Sequence, residues 1–320
     1  MLRPVVCPFP RIILAAAAAA LGGCSSGPTT GGSASDYVLE IRWLSTPPTG
    51  ATLEAFESAR TTIRSTITGA LSPVMPPAGF NIADCDPNDT NLQGFPDVPA
   101  EAILGLVVYI QIREMDGVGG KLGSAGPCLV RSASQKYLTA LGIVRLDAAD
   151  VSNLEANGRL VAVVLHELLH VVGFGTIWLE NGLRDTTDVD NARFLGARAR
   201  AACAEVHGGG ADCATTVPLH SADGAGSAYS HWRETLFTNE LMTPFLNSPP
   251  TPFSEMTIQS LGDLGYQVSS VPAQPYLVSG TFLRAEGGAP ELPPQAMPEP
   301  TRPVFTLDDA GNLIPFRSPR

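Results

Sequence analysis

Apolar and polar residues alternate along residues 37–44, with Tyr37, Leu39, Ile41 and Trp43 on one side and Glu40 and Arg42 on the other. A period of two predicts a half-buried strand. Leu53, Phe56, Ala59, Ile63 and Ile67 then recur at helical spacing, which predicts an amphipathic helix over residues 52–68, ended by Pro73, Pro76 and Pro77. Residues 102–112 and 141–146 are rich in Val, Ile and Leu and read as inner strands. Between them, residues 117–126 form a glycine-rich turn that lacks the strand-loop-helix setting of a phosphate cradle. Asp147 opens a short helical stretch, and residues 253–266 read as a last amphipathic helix.

Residues 159–172 break this pattern. They are apolar nearly all round, except for Arg159, His166, Glu167 and His170. A helix of that kind must be buried, and three ionisable groups on it are costly there without partners. Gly173 is placed to end it. His166 and His170 stand four residues apart, on one helical face, so their imidazoles can hold one ion. Glu167 cannot easily share that coordination position, but it can reach a water on the metal and take its proton. Two satisfied core histidines are the plain alternative, and they leave the glutamate without a purpose. A catalytic zinc takes three protein ligands and keeps an open position. The compact spacing would put the third histidine at position 176, which is threonine. His207, His220 and His231 remain. His207 sits beside glycines between Cys203 and Cys213, and His220 lies in an irregular stretch. His231 opens His231-Trp232-Arg233-Glu234, shortly before Asn239-Glu240-Leu241-Met242-Thr243-Pro244.

Composition changes the picture at the ends. With 320 residues, 44% hydrophobic and 16% charged, the chain can bury a sizeable core. The formal net charge of -11 and the lack of Lys/Arg runs argue against a nucleic-acid partner. Arg3 and Arg11 precede a short apolar run and then Leu21-Gly22-Gly23-Cys24, too short to span a bilayer. Residues 1–23 therefore read as an export signal resembling that of bacterial lipoproteins, with Cys24 acylated, residues 24–35 a flexible tether and the protein anchored to the cell envelope. Plain cleavage and release is the alternative. Once Cys7 and Cys24 are set aside, Cys85, Cys128, Cys203 and Cys213 remain, an even number that suggests two disulfides. Three pairings are open. Cys203 with Cys213 would close a short loop and Cys85 with Cys128 would staple the amino-terminal part. Residues 176–230 are small, polar and irregular. Asp185, Asp188 and Asp190 do not complete a calcium loop, because Arg193 stands where its glycine belongs. Residues 286–303 are proline-rich and read as extended.

The chain resembles the leishmanolysin branch of the metzincin metallopeptidases. The matching positions are His166, Glu167, His170, Gly173 and Phe174, then His231 after an insertion of several dozen residues, then Met242 in a methionine turn. Similarity extends over residues 38–268, including Gly117-Val118-Gly119-Gly120, Gly126-Pro127-Cys128 and Asp263-Leu264-Gly265-Tyr266. It departs at the ends, where no long inhibitory propeptide is evident and the stretch after about residue 270 has no counterpart.

The resemblance implies an α+β, two-lobed fold. A twisted mixed sheet and a buried active-site helix occupy residues 36–175. An irregular lobe over residues 176–270 carries the third ligand and the methionine turn, and residues 271–320 form a Pro-rich tail. It implies one zinc ion on His166, His170 and His231, Glu167 as the base, Met242 as an apolar floor, and peptide bonds of proteins as the substrate. Tyr229 stands near His231 and is a weaker candidate for oxyanion assistance. Rival readings are Glu240 as third ligand, another zinc hydrolase such as an amidase, and a surface adhesin that keeps the metal without turnover.

Overall fold

The two Val/Ile/Leu runs become the middle of a sheet. The computed structural model describes residues 36–206, 211–222, 227–278, 295–296 and 299–316. The export signal, Cys24, the tether and His207 lie outside the described residues. Four strands form the body of the sheet: β1 (Leu39–Trp43), β2 (Leu106–Arg113), β3 (Gly123–Val130) and β4 (Thr139–Asp147). They lie in the order β1-β2-β4-β3, with β1, β2 and β4 parallel and β3 antiparallel to β4. Strands β2 and β4 are buried on both faces, which is why they lack a polar alternation. The glycine-rich turn ends at Leu122. Its last glycines, Gly123 and Gly126, belong to β3.

One face of the sheet carries the helices α1 (Ala51–Thr66), α2 (Ala148–Ala156) and α3 (Leu160–Val172). Phe56, Ala59 and Ile63 of α1 meet Val163, Leu168 and Val171 of α3 and the even-numbered side chains of β2 and β4 in one core. The odd-numbered side chains, among them Val107, Leu141 and Ile143, form a second core with Phe80, Ile82 and Leu92. A disulfide between Cys85 and Cys128 fastens that covering segment to β3.

Two findings depart from the sequence reading. Residues 176–230 are not wholly irregular. They contain α4 (Ala197–Val206) and a small sheet of β5 (Arg184–Asp185), β6 (Arg193–Phe194) and β7 (Val217–Pro218). Helix α4 is tied to the next loop by the Cys203–Cys213 disulfide. The carboxyl group of Asp263 accepts the backbone N–H groups of Arg198 and Ala199 at its start. After the short α5 (Glu234–Phe237) and β8 (Phe245–Leu246) comes α6 (Glu255–Leu264). The Tyr266 hydroxyl at the end of α6 donates to the Val172 carbonyl at the end of α3. The second departure is the tail, which joins the fold. β9 (Gln295–Ala296) pairs with β8, while β10 (Glu299–Pro300) and β11 (Phe305–Leu307) pair with β3, and β12 (Leu313–Pro315) closes the edge. The fold is a mixed α+β one. No helix among the described residues is long and apolar enough to cross a membrane.

Candidate metal centre

Helix α3 leaves little to chance in the placing of its polar residues. Its side chains from Val163 to Val172 are buried, and with a helical period His166 and His170 rise on one face while Leu168 and Val172 pack into the core. The helix stops at Gly173, whose φ of 129° suits glycine, and whose N–H group donates to the carbonyls of Leu169 and His170. A side chain there would strike Ile177 at 2.6 Å. The following turn is fixed by the Thr176 hydroxyl, which donates to the His170 carbonyl at 2.8 Å. Position 176, read as the vacant place of a ligand, instead pins the last turn of the helix.

His231 arrives on a different kind of support. Its carbonyl accepts the His220 N–H group, and the next residue, Trp232, bridges to Leu219 and donates its backbone N–H to the Met242 carbonyl at 2.9 Å. The Trp232 indole is fully buried among Phe174, Trp178 and Phe194, with ring centroids 5.0–5.5 Å away. That aromatic cluster joins the end of α3 to the His231 segment.

The three histidines converge. Their Nε2 atoms lie 2.9 Å (His166–His170), 3.0 Å (His170–His231) and 3.2 Å (His166–His231) apart. Each ring meets a backbone carbonyl through Nδ1: His166 that of Leu241 at 2.8 Å, His170 that of Phe174 at 2.9 Å, and His231 that of Ser227 at 3.0 Å. A carbonyl only accepts, so each Nδ1 carries the proton and each Nε2 presents a lone pair. Three lone pairs in mutual contact repel, and no hydrogen bond among them can relieve this. A cation between them does. Tetrahedral zinc with nitrogen ligands at about 2.0–2.1 Å sets neighbouring nitrogens about 3.3 Å apart, close to what is found. The donor set therefore fits zinc. Among the described residues, this is the group of metal-ligating side chains close enough to share an ion.

Electrostatics agree with the geometry. Burial, and after it the neighbouring imidazole, drives all three histidines well below the usual range, so they are neutral, as ligands must be. Glu167 is fully buried, neither carboxyl oxygen has a hydrogen-bond partner, and burial lifts its carboxyl well above the usual carboxylate range. A buried carboxyl without partners carries a cost that structure alone does not repay.

Other candidates are placed elsewhere. His220 is buried outside the cluster, its ring edge-on to Phe245 at 6.4 Å. Glu240 is turned away from a ligand's role. Its carboxylate accepts the Ser254 hydroxyl at 2.6 Å, the Thr257 hydroxyl at 2.5 Å and the Met242 N–H at 2.6 Å. Thr257 in turn accepts the Trp232 indole N–H at 2.8 Å. Glu240 thus knits the turn through Met242 to α6 and to the neighbour of His231, a role that the sequence reading missed. Met242 itself is fully buried. Tyr229 adopts a left-handed φ of 67° with the Arg184 guanidinium over its ring.

No curated protein matches the chain. The family model described as leishmanolysin, peptidase M8, matches residues 96–278, more than half of the 320. That span takes in α3, the His231 segment and the turn through Met242. With the three converging histidines inside the match, the chain belongs to the leishmanolysin family of metallopeptidases.

Proposed function

We propose that the protein is a zinc-dependent endopeptidase in which His166, His170 and His231 hold the ion and Glu167 moves the proton. One observation carries this reading: three Nε2 lone pairs meet at one point, each ring locked by a carbonyl on its other nitrogen. Zinc, when bound, supplies the Lewis acidity that makes water a nucleophile near neutral pH and polarises a peptide carbonyl. Glu167 accepts the proton of the attacking water. Its raised affinity for protons, a result of burial, suits a group that must then give that proton to the leaving amine. The Leu241, Phe174 and Ser227 carbonyls hold the imidazoles against rotation through that cycle. Buried Met242, one residue beyond the carbonyl that anchors His166, is the apolar floor.

A lipid on Cys24 would hold the enzyme at the surface of an envelope membrane, and labelled palmitate in the mature protein is the direct check. For the chemistry, Glu167→Ala in the full chain is expected to keep one zinc per chain and lose casein cleavage by at least about 100-fold, the usual scale of general base catalysis. Zinc content is read by metal analysis and cleavage with and without a chelator. A variant that cleaves like the parent removes Glu167 from the reaction. Retained Glu167 also separates this reading from an adhesin with an inherited metal, which has no use for the base.

A further inference from the structure

The tail is paired with the rest of the fold at two points. At one, β9 pairs antiparallel with β8, which begins three residues after Met242. At the other, β10 pairs parallel with β3, Glu299 opposite Ser124 and Pro300 opposite Ala125. The Thr301 N–H group then donates to the Ala125 carbonyl at 2.6 Å, and the Val304 N–H to the Cys128 carbonyl at 3.0 Å. The tail lies so close to β3 that a side chain on Gly126 would meet the Thr301 carbonyl at 2.2 Å and its hydroxyl at 2.4 Å.

The two halves of this segment differ. Residues 305–307 reach the core, with Leu307 and Thr306 buried and Phe305 edge-on to Phe80, and Phe316 lies edge-on to Tyr137. Residues 299–304 are paired to β3 through the backbone, with Pro303 buried. Pro300 and Pro303 have no N–H group to donate, and Thr301 and Arg302 are exposed. This stretch lies beside residues that neighbour the metal ligands in the chain. Pro300 and Arg302 share a cavity of only about 30 Å³ with Gly175, Thr176 and Ser230. Thr176 is bonded to the His170 carbonyl, and Ser230 precedes His231. That volume admits a water or two and no peptide residue. His166, Glu167, His170 and His231 are each 0% exposed.

We propose that residues 299–304 are an autoinhibitory strap, a strand added to the open edge of β3 that closes the metal centre to peptides and is released while residues 305–316 stay anchored. The proposal rests on the peptidase reading for the substrate it excludes, but not for the closure. The strap's pairing also accounts for a stretch that lies beyond the leishmanolysin match, which ends at residue 278.

The test uses the zinc-loaded full chain. Thr301→Pro removes the N–H group given to Ala125, and Gly126→Ala puts a methyl where the strap's backbone runs. Both are expected to raise kcat/KM on a short fluorogenic peptide about tenfold and to speed zinc loss to dipicolinate about tenfold, since access scales with the open fraction. A variant that is merely less stable would cleave more slowly, so the gain separates release from unfolding. Unchanged rates in both variants overturn the strap, and so does faster zinc loss with slower cleavage. If zinc loss accelerates and no form of the protein, parent included, cleaves any peptide, the strap stands and the peptidase reading falls.

Discussion

His166 and His170 are placed by a helix, and His231 by a loop. The helix needs only its own period. Once α3 is packed between α1 and the sheet, two imidazoles four residues apart must project together. The loop has no period to rely on. Its imidazole is set by the His220–His231 and Trp232–Met242 backbone bonds, by the indole of Trp232 among three aromatic rings, and by the buried carboxylate of Glu240 behind them. Regular structure makes the first two legs robust to local damage. The third depends on polar groups that must all be satisfied at once.

The contrast predicts unequal damage. Glu240→Ala strands two buried hydroxyls and the Met242 N–H group. We expect zinc affinity to fall about 10- to 100-fold, as for residues that hold a ligand's support in place. Stability should fall by about 3 kcal/mol, the cost of several unmet buried groups. Glu240→Gln keeps an acceptor oxygen and should lose less. Zinc titration with a competing chelator and denaturant unfolding read the two quantities. Leu168→Ala attacks the helix instead. Leu168 is fully buried in the main core, so stability should drop by about 3 kcal/mol. Its zinc affinity should change by less than about threefold, because a folded α3 keeps its histidines one turn apart. Equal losses of affinity in the two variants would erase the distinction between helix and loop.

The same contrast governs what could be read from the sequence. Strands β2 and β4, helix α1 and the two histidines of α3 announce themselves through period and apolar runs, because burial on a regular element imposes both. His231 does not. Residue spacing left it level with His207 and His220, and only the likeness to leishmanolysins chose it. Glu240 resembled a rival ligand because its partners, Ser254 and Thr257, stand 14 and 17 residues away. No local pattern records that they fold over it. Helix α4 escaped notice because its Ala- and Arg-rich stretch has a weak apolar face and relies on a disulfide and on Asp263. The tail's strands were read only as extended, since β9 and β10 are two residues long and interrupted by proline.

The smallest effect concerns a joint in the regular half. Asp147 ends β4 and caps α2, and its carboxylate accepts the N–H groups of Ala149, Met115, Asp116 and Gly117. Burial alone would raise its pKa, but these four donors outweigh it and hold the carboxyl below the usual range. The native state therefore binds this proton less readily than the unfolded chain. The stability it contributes is whole above the unfolded value of about 3.9 and is lost as pH falls through the lower native value. Asp147→Asn keeps the shape and one acceptor oxygen but discards the charge, so the variant should be about 1 kcal/mol less stable at pH 7. Denaturant unfolding from pH 7 down to pH 3 should show the gap narrowing below about pH 4. A gap that stays constant over that range would mean that shape, not charge, holds the turn before β3, and that this joint resembles the helical legs more than the loop.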